Sequence, residues 1–65
     1  MNEPAYPIEI LREIIPNAKF EQTKRLFDSI RKEKTLYTYF EFAEALRLIG
    51  KRFIELSTKI SDETN

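Results

Sequence analysis

Cysteine, histidine and tryptophan are absent from this chain of 65 residues, glycine occurs once and proline three times. Without a thiol or an imidazole there is no thiolate nucleophile, no histidine acid or base, no disulfide and no common zinc ligand set. These absences point away from an enzyme, and nothing in the composition calls for a cofactor or a metal. Net charge is missing too, since eleven Lys and Arg balance eleven Asp and Glu. The basic excess that displaces counterions from a phosphate backbone is therefore lacking over the chain as a whole. No apolar run approaches the roughly 20 residues that span a bilayer. The first residues, Met1-Asn2-Glu3-Pro4, have neither the basic nor the apolar region of a secretory signal. A soluble cytoplasmic protein is expected, and the lack of cysteine agrees with a reducing compartment.

What is present is a helical composition. Ile, Leu, Glu, Lys and Arg make up more than half of the residues, so one small all-α domain over 1–65 is expected, with 1–6 and 61–65 as frayed tails. Behind Pro7, the residues Ile8, Leu11 and Ile15 recur at i, i+3 and i+7, which predicts a short helix over about 7–15. Pro16 is expected to end it by pushing Ile15 to extended dihedrals. Asn17 then offers a side-chain oxygen as N-cap of a second helix over about 18–33. That helix carries Phe20, Thr23, Phe27 and Ile30 on one face with Leu26 beside them. Its other face sets Glu21 against Lys24 and Arg25, and Asp28 against Arg31 and Lys32, at i+3 and i+4.

The sharpest local signal is Thr38-Tyr39-Phe40-Glu41, a capping box in which each end residue satisfies the other's backbone N–H. Tyr37 before it and Phe42 after it supply a hydrophobic staple. From this start Tyr39, Phe42, Leu46, Ile49, Phe53, Leu56 and Ile60 keep a heptad rhythm, and the phase runs unbroken across Gly50. A single helix over about 39–60 is preferred, although a glycine inside a helix costs about 1 kcal/mol relative to alanine, and the alternative makes Gly50 a C′ residue that ends one helix before a second starts at Lys51. The run Tyr37 to Leu46 is similar to the exit of an EF-hand loop. The positions that would ligate calcium hold Ile30, Lys32 and Lys34 instead of carboxylates, so no calcium site is expected.

A short connection between helices of about 16 and 22 residues predicts an antiparallel hairpin. In it Phe20 meets the middle of the third helix, and the first helix covers the overhanging Phe53, Leu56 and Ile60. Phe40, Ala43 and Ile54 widen the apolar arc of the third helix to about 220°, against somewhat over 100° for a helix with one buried side. A chain this short has few other means of stability, which favours a homodimeric helical bundle.

Two kinds of function remain. Four of the eight aromatics fall between Tyr37 and Phe42, and aromatic side chains beside cations are frequent anchors of protein interfaces. This makes Tyr37, Phe40, Arg47 and Ile54 the expected partner-binding residues of a small interaction module, acting stoichiometrically as regulator, adaptor or inhibitor of a larger protein. The alternative uses Lys24, Arg25, Arg31, Lys32 and Lys34 to hold nucleic acid, because the stretch Lys19 to Lys34 has a local charge of +3 next to stacking rings. A DNA-reading helix-turn-helix is disfavoured, since the third helix spends its circumference on apolar residues rather than on side chains for base edges. The carboxylate pairs Glu9/Glu13 and Glu41/Glu44 stand one turn apart but lack a pocket to tune them as acid and base.

Overall fold

The computed structural model describes residues 3–64, and the side chains of 3–58. Among the described residues every regular element is helical: α1 (Ile8–Ile14), α2 (Phe20–Lys32) and α3 (Tyr39–Thr64), with 3-10 turns at Ile15–Asn17 and Lys34–Leu36. No helix among them is long and apolar enough to cross a membrane. Helix α3 extends to Thr64, past its expected end near 60 and into the expected tail 61–65; the side chain of Ile60, the last position of the expected heptad run, lies outside the described side chains.

Helix α1 begins where Pro7 accepts backbone hydrogen bonds from Ile10 and Leu11, both 3.0 Å, the position where a missing N–H costs nothing. It does not stop at Pro16 in the way expected. Ile15 keeps right-handed helical dihedrals, and the proline sits at the start of a 3-10 turn. The chain becomes extended only at Ala18. Tightening into a 3-10 turn lets a chain continue past a residue that lacks an N–H. Asn17 therefore serves the helix behind it: its side-chain amide donates to the carbonyl of Glu13 (3.2 Å). The start of α2 instead uses Lys19, whose carbonyl accepts from both the backbone and the hydroxyl of Thr23, each at 2.8 Å. That bond also explains how Thr23 is fully buried without an orphaned hydroxyl.

The capping box at α3 forms as written in the sequence. The Thr38 amide donates to Glu41 (2.9 Å) and the Glu41 amide to the Thr38 hydroxyl (3.1 Å). Helix α3 then runs without a break through Gly50.

The core consists of Ile8, Leu11 and Ile15 from the first helical stretch, Ala18, Leu26 and Ile30, Tyr37, and Ala45 and Ile49 of α3. Partly buried Tyr6, Ile14, Phe27, Phe42, Leu48 and Phe53 close around it. Two features differ from expectation. Phe20, at the start of α2, meets Phe53 edge to face with ring centroids 5.5 Å apart, so Phe53 is not overhanging. Helix α1 lies along the first half of α3 rather than beyond the end of α2: Ile8 borders Tyr37 and Glu41, while Ile15 and Pro16 border Leu48 and Arg52.

Polar ties hold this arrangement from the outside. Arg12 donates through two nitrogens to the two oxygens of Glu44, at 2.6 and 2.9 Å, a fork-to-fork geometry that fixes orientation as well as distance. Arg52 reaches back to the carbonyl of Ala18 (2.7 Å) and lies 3.6 Å from Glu55. The N-terminal segment, expected to be loose through residue 6, is tied at two points. Ala5 donates its N–H to Glu33 (3.1 Å), and the Tyr6 carbonyl accepts from the Tyr37 hydroxyl (2.7 Å).

Candidate protein-interaction surface

Tyr37 illustrates how capping chemistry positions a side chain. The residue before a capping box is aimed back over the first turn of the helix, and here that direction leads into the core. Tyr37 is 8% exposed, its ring lies among core residues, and its hydroxyl is used by Tyr6. Burial, with the nearby carboxylates of Glu33 and Glu41, raises its pKa above the ordinary 10.0. It is not available as a partner anchor. The expected aromatic cluster is thus divided, with Tyr37 inside, Phe42 half-buried, and Tyr39 and Phe40 outside.

The exposed half of that cluster begins a longer surface. Tyr39 and Phe40 are each 82% exposed and touch each other edge to face at 5.7 Å. Farther along α3, Leu46 and Ile54 are also exposed, the latter at 68%. Phe40 and Arg47, two of the expected binding residues, line one shallow depression with Glu44, Leu48 and Lys51. Ile54 stands farther along the same helix. Tyr39 and Leu46 were assigned to the core face in the sequence and are in fact on the outside, whereas Ala45, which drew no attention there, is fully buried. The signal that separates them is phase. Ten residues at about 100° each put Tyr39 roughly 80° around the helix from buried Ile49.

The electrostatics of this surface are mild. Glu44 is held below its ordinary carboxyl pKa of 4.5 by the hydrogen bonds and charge of Arg12, and Arg12 is raised in return. That acid therefore serves the tie between α1 and α3. Glu41 is likewise engaged as a capping residue, while Glu9 and Glu13 are exposed on α1. Among the described residues no group of three or more acidic side chains converges as a metal ligand set would.

The five cations considered for nucleic acid are all exposed on or just beyond α2, and on α2 Lys24, Arg25, Arg31 and Lys32 share an arc of about 120° with Glu21 and Asp28. Lys24 lies over the Phe20 ring, 5.8 Å from its centroid, and Arg31 over Phe27 at 5.5 Å. Those rings are occupied by cations of the same chain. Arg31 and Lys32 flank a depression shared with Asp28, while Lys34 lies by Thr35, Tyr39 and Phe42. The acid in the centre lowers the local potential that a phosphate backbone would meet.

What these features define is a small all-helical chain with a closed core on one side of its longest helix and an aromatic, aliphatic surface on the other. No described protein family, curated protein or solved structure is similar to the chain.

Proposed function

We propose that the chain is a small protein-interaction module of the cytoplasm, without catalytic activity, that acts stoichiometrically as a regulator, adaptor or inhibitor of a larger protein. Its binding surface in this reading is the outer side of α3, with Phe40 and Ile54 as anchors, Arg47 at the rim, and Tyr39 in place of the buried Tyr37. The observation that carries it is the exposure of Tyr39, Phe40 and Ile54 on one rigid helix. Isolated apolar residues at a surface need no explanation, but on α3 Tyr39 and Leu46 are exposed seven residues apart and Phe40 and Ile54 fourteen apart, whole-heptad spacings of the kind that anchor a helix in a groove. The antiparallel arrangement of α2 and α3, with α1 alongside, acts as the frame that keeps those anchors in register.

Affinity capture from the native host, comparing the natural chain with Phe40→Ala, tests this. The variant is expected to fold with unchanged helicity and to lose a specific partner at least about tenfold, as removal of an anchor does. Equal recovery by both chains sinks the choice of site. The nucleic-acid alternative has less to support it, because Glu21 and Asp28 are interleaved with the cations on the same face of α2 and two of the cations lie over rings of their own chain. It requires affinity to fall steeply between roughly 50 and 200 mM salt and to disappear in Lys32→Glu combined with Lys34→Glu.

A further inference from the structure

Resting on the reading of α3 as an adhesive helix, we infer that its outer side is covered by a second copy of this chain, through antiparallel pairing of the two α3 helices. Gly50 is the first observation. It is the only glycine, it lies inside α3 with no positive φ, and a side chain built on it meets nothing within 4 Å among the described residues. Its own chain therefore gives no reason for a residue that weakens a helix interior. A helix approaching from outside does, because a residue without a side chain receives the large group of a neighbour.

The pattern around Gly50 says which neighbour fits. Small residues Ala43, Gly50 and Ser57 recur every seven positions, and large residues Tyr39, Leu46 and Phe53 recur every seven between them. Together they make a seam of alternating threes and fours, rotated away from the one that faces the core. Two such helices side by side in parallel set small against small and large against large, which leaves gaps at some levels and crowding at others. Turned over, each small position meets a large one. With the twofold axis level with residue 48, Tyr39 lies opposite Ser57, Ala43 opposite Phe53, and Leu46 opposite Gly50. Every pair occurs twice, as a symmetric interface requires.

The same register accounts for Phe40 and Ile54. Beside the seam they fall within about 3 Å of the same height across the axis, at 1.5 Å per residue. Half-exposed Phe20, against Phe53, borders the seam and extends the contact to α2 of each copy, giving four helices in two layers. The exposed apolar side chains amount to roughly 1,000 Å² over both copies, at the lower bound of specific interfaces. The dimer is thus reversible, and a larger partner using this surface competes with the second copy. The two Arg47 side chains face each other across the axis at the rim, so added salt tightens the pair, the opposite of its effect on nucleic-acid binding.

Sedimentation of the full chain from about 1 µM to about 1 mM is expected to show the average mass rising from 7.8 kDa towards twice that value. Gly50→Leu, which has open space in its own fold, is expected to keep its helicity and weaken dimerisation at least about tenfold. Because the chain has no cysteine, register is read by oxidation. A mixture of Leu46→Cys and Gly50→Cys chains forms the crosslinked pair, and neither chain does so alone, since like positions lie farther apart than a disulfide spans. A constant 7.8 kDa mass overturns the self-pairing and leaves the surface to a larger protein, so the interaction reading survives it. Dimers unaffected by Gly50→Leu, or Gly50→Cys chains that crosslink by themselves, overturn the proposed interface. Loss of the interaction reading is observed separately, in equal capture by the natural and Phe40→Ala chains.

Discussion

The two sides of α3 are built from the same kinds of residue and meet opposite surroundings. Towards α1 and α2, Ala45 and Ile49 are fully enclosed, with Phe42, Leu48, Phe53 and Leu56 half-buried around them. On the other side Tyr39, Phe40 and Ile54 stand largely in water. Hydrophobicity along the sequence shows that a helix has more apolar circumference than one neighbour covers. It does not show which part is covered by the same chain, because both stripes obey the same period. The closed side is a matter of stability, and the open side is the one proposed for association.

That contrast is most strongly tested by truncating one residue on each side. Leu11→Ala, in the core that covers α3, is expected to cost about 2–5 kcal/mol. A domain of this length has only about 3–10 kcal/mol in total, so the variant should lose about half of its stability and melt at a clearly lower temperature by circular dichroism. Ile54→Ala on the open side should alter the stability of the isolated chain by no more than about 0.5 kcal/mol. Equal losses in thermal melts at low concentration would break the distinction.

A smaller effect sharpens the boundary between the sides. Tyr37→Phe removes only the hydroxyl that donates to Tyr6 and is expected to cost about 1 kcal/mol in a denaturant titration, with partner capture unchanged. A variant that loses capture at full stability would return Tyr37 to the binding surface.

The smallest expected effect concerns the tie between α1 and α3. Glu44 has a lowered carboxyl pKa in the folded chain, so its contribution is present at neutral pH. It is lost as acid carries the solution below the ordinary 4.5 and through the lowered value. Glu44→Gln should remove that part of the acid sensitivity of the melting temperature. The ion pair is partly exposed, and salt should shrink the difference. A variant with an unchanged acid profile would show that Arg12 and Glu44 orient the helices without stabilising them.

Features decided within four residues were legible in the sequence. The capping box of Thr38 and Glu41 needs nothing beyond its own turn, and it forms; continuity through Gly50 followed from an unbroken phase. Features that depend on where a neighbour lies were not legible. Asn17 has an equally good acceptor behind it and donor ahead of it, and the 3-10 turn at Ile15–Asn17 hands it to Glu13. Tyr39 fits a strict seven-residue repeat, but a straight helix drifts by about 20° per heptad from such a repeat, and the core centres on Ala45 and Ile49. Among the candidate site residues, Phe40, Arg47 and Ile54 are on the outside as the pattern implied. Tyr37 is not, because its ring and its hydroxyl both find partners brought there by the N-terminal segment.

By itself the sequence determined that this chain is helical, where its longest helix begins, and that the helix is too apolar to be served by one neighbour. Those outcomes rest on local hydrogen bonds and on the period of the apolar residues, which each segment carries with it. Only the tertiary structure decided which stripe of α3 is enclosed, that α1 lies along its first half, and that the aromatic cluster divides into an inner and an outer half. These follow from the packing of segments distant in sequence, such as Arg12 on Glu44, Tyr37 on Tyr6 and Phe20 on Phe53. No local pattern contains that information, because each such contact is stabilised only when two separate helices are already in place.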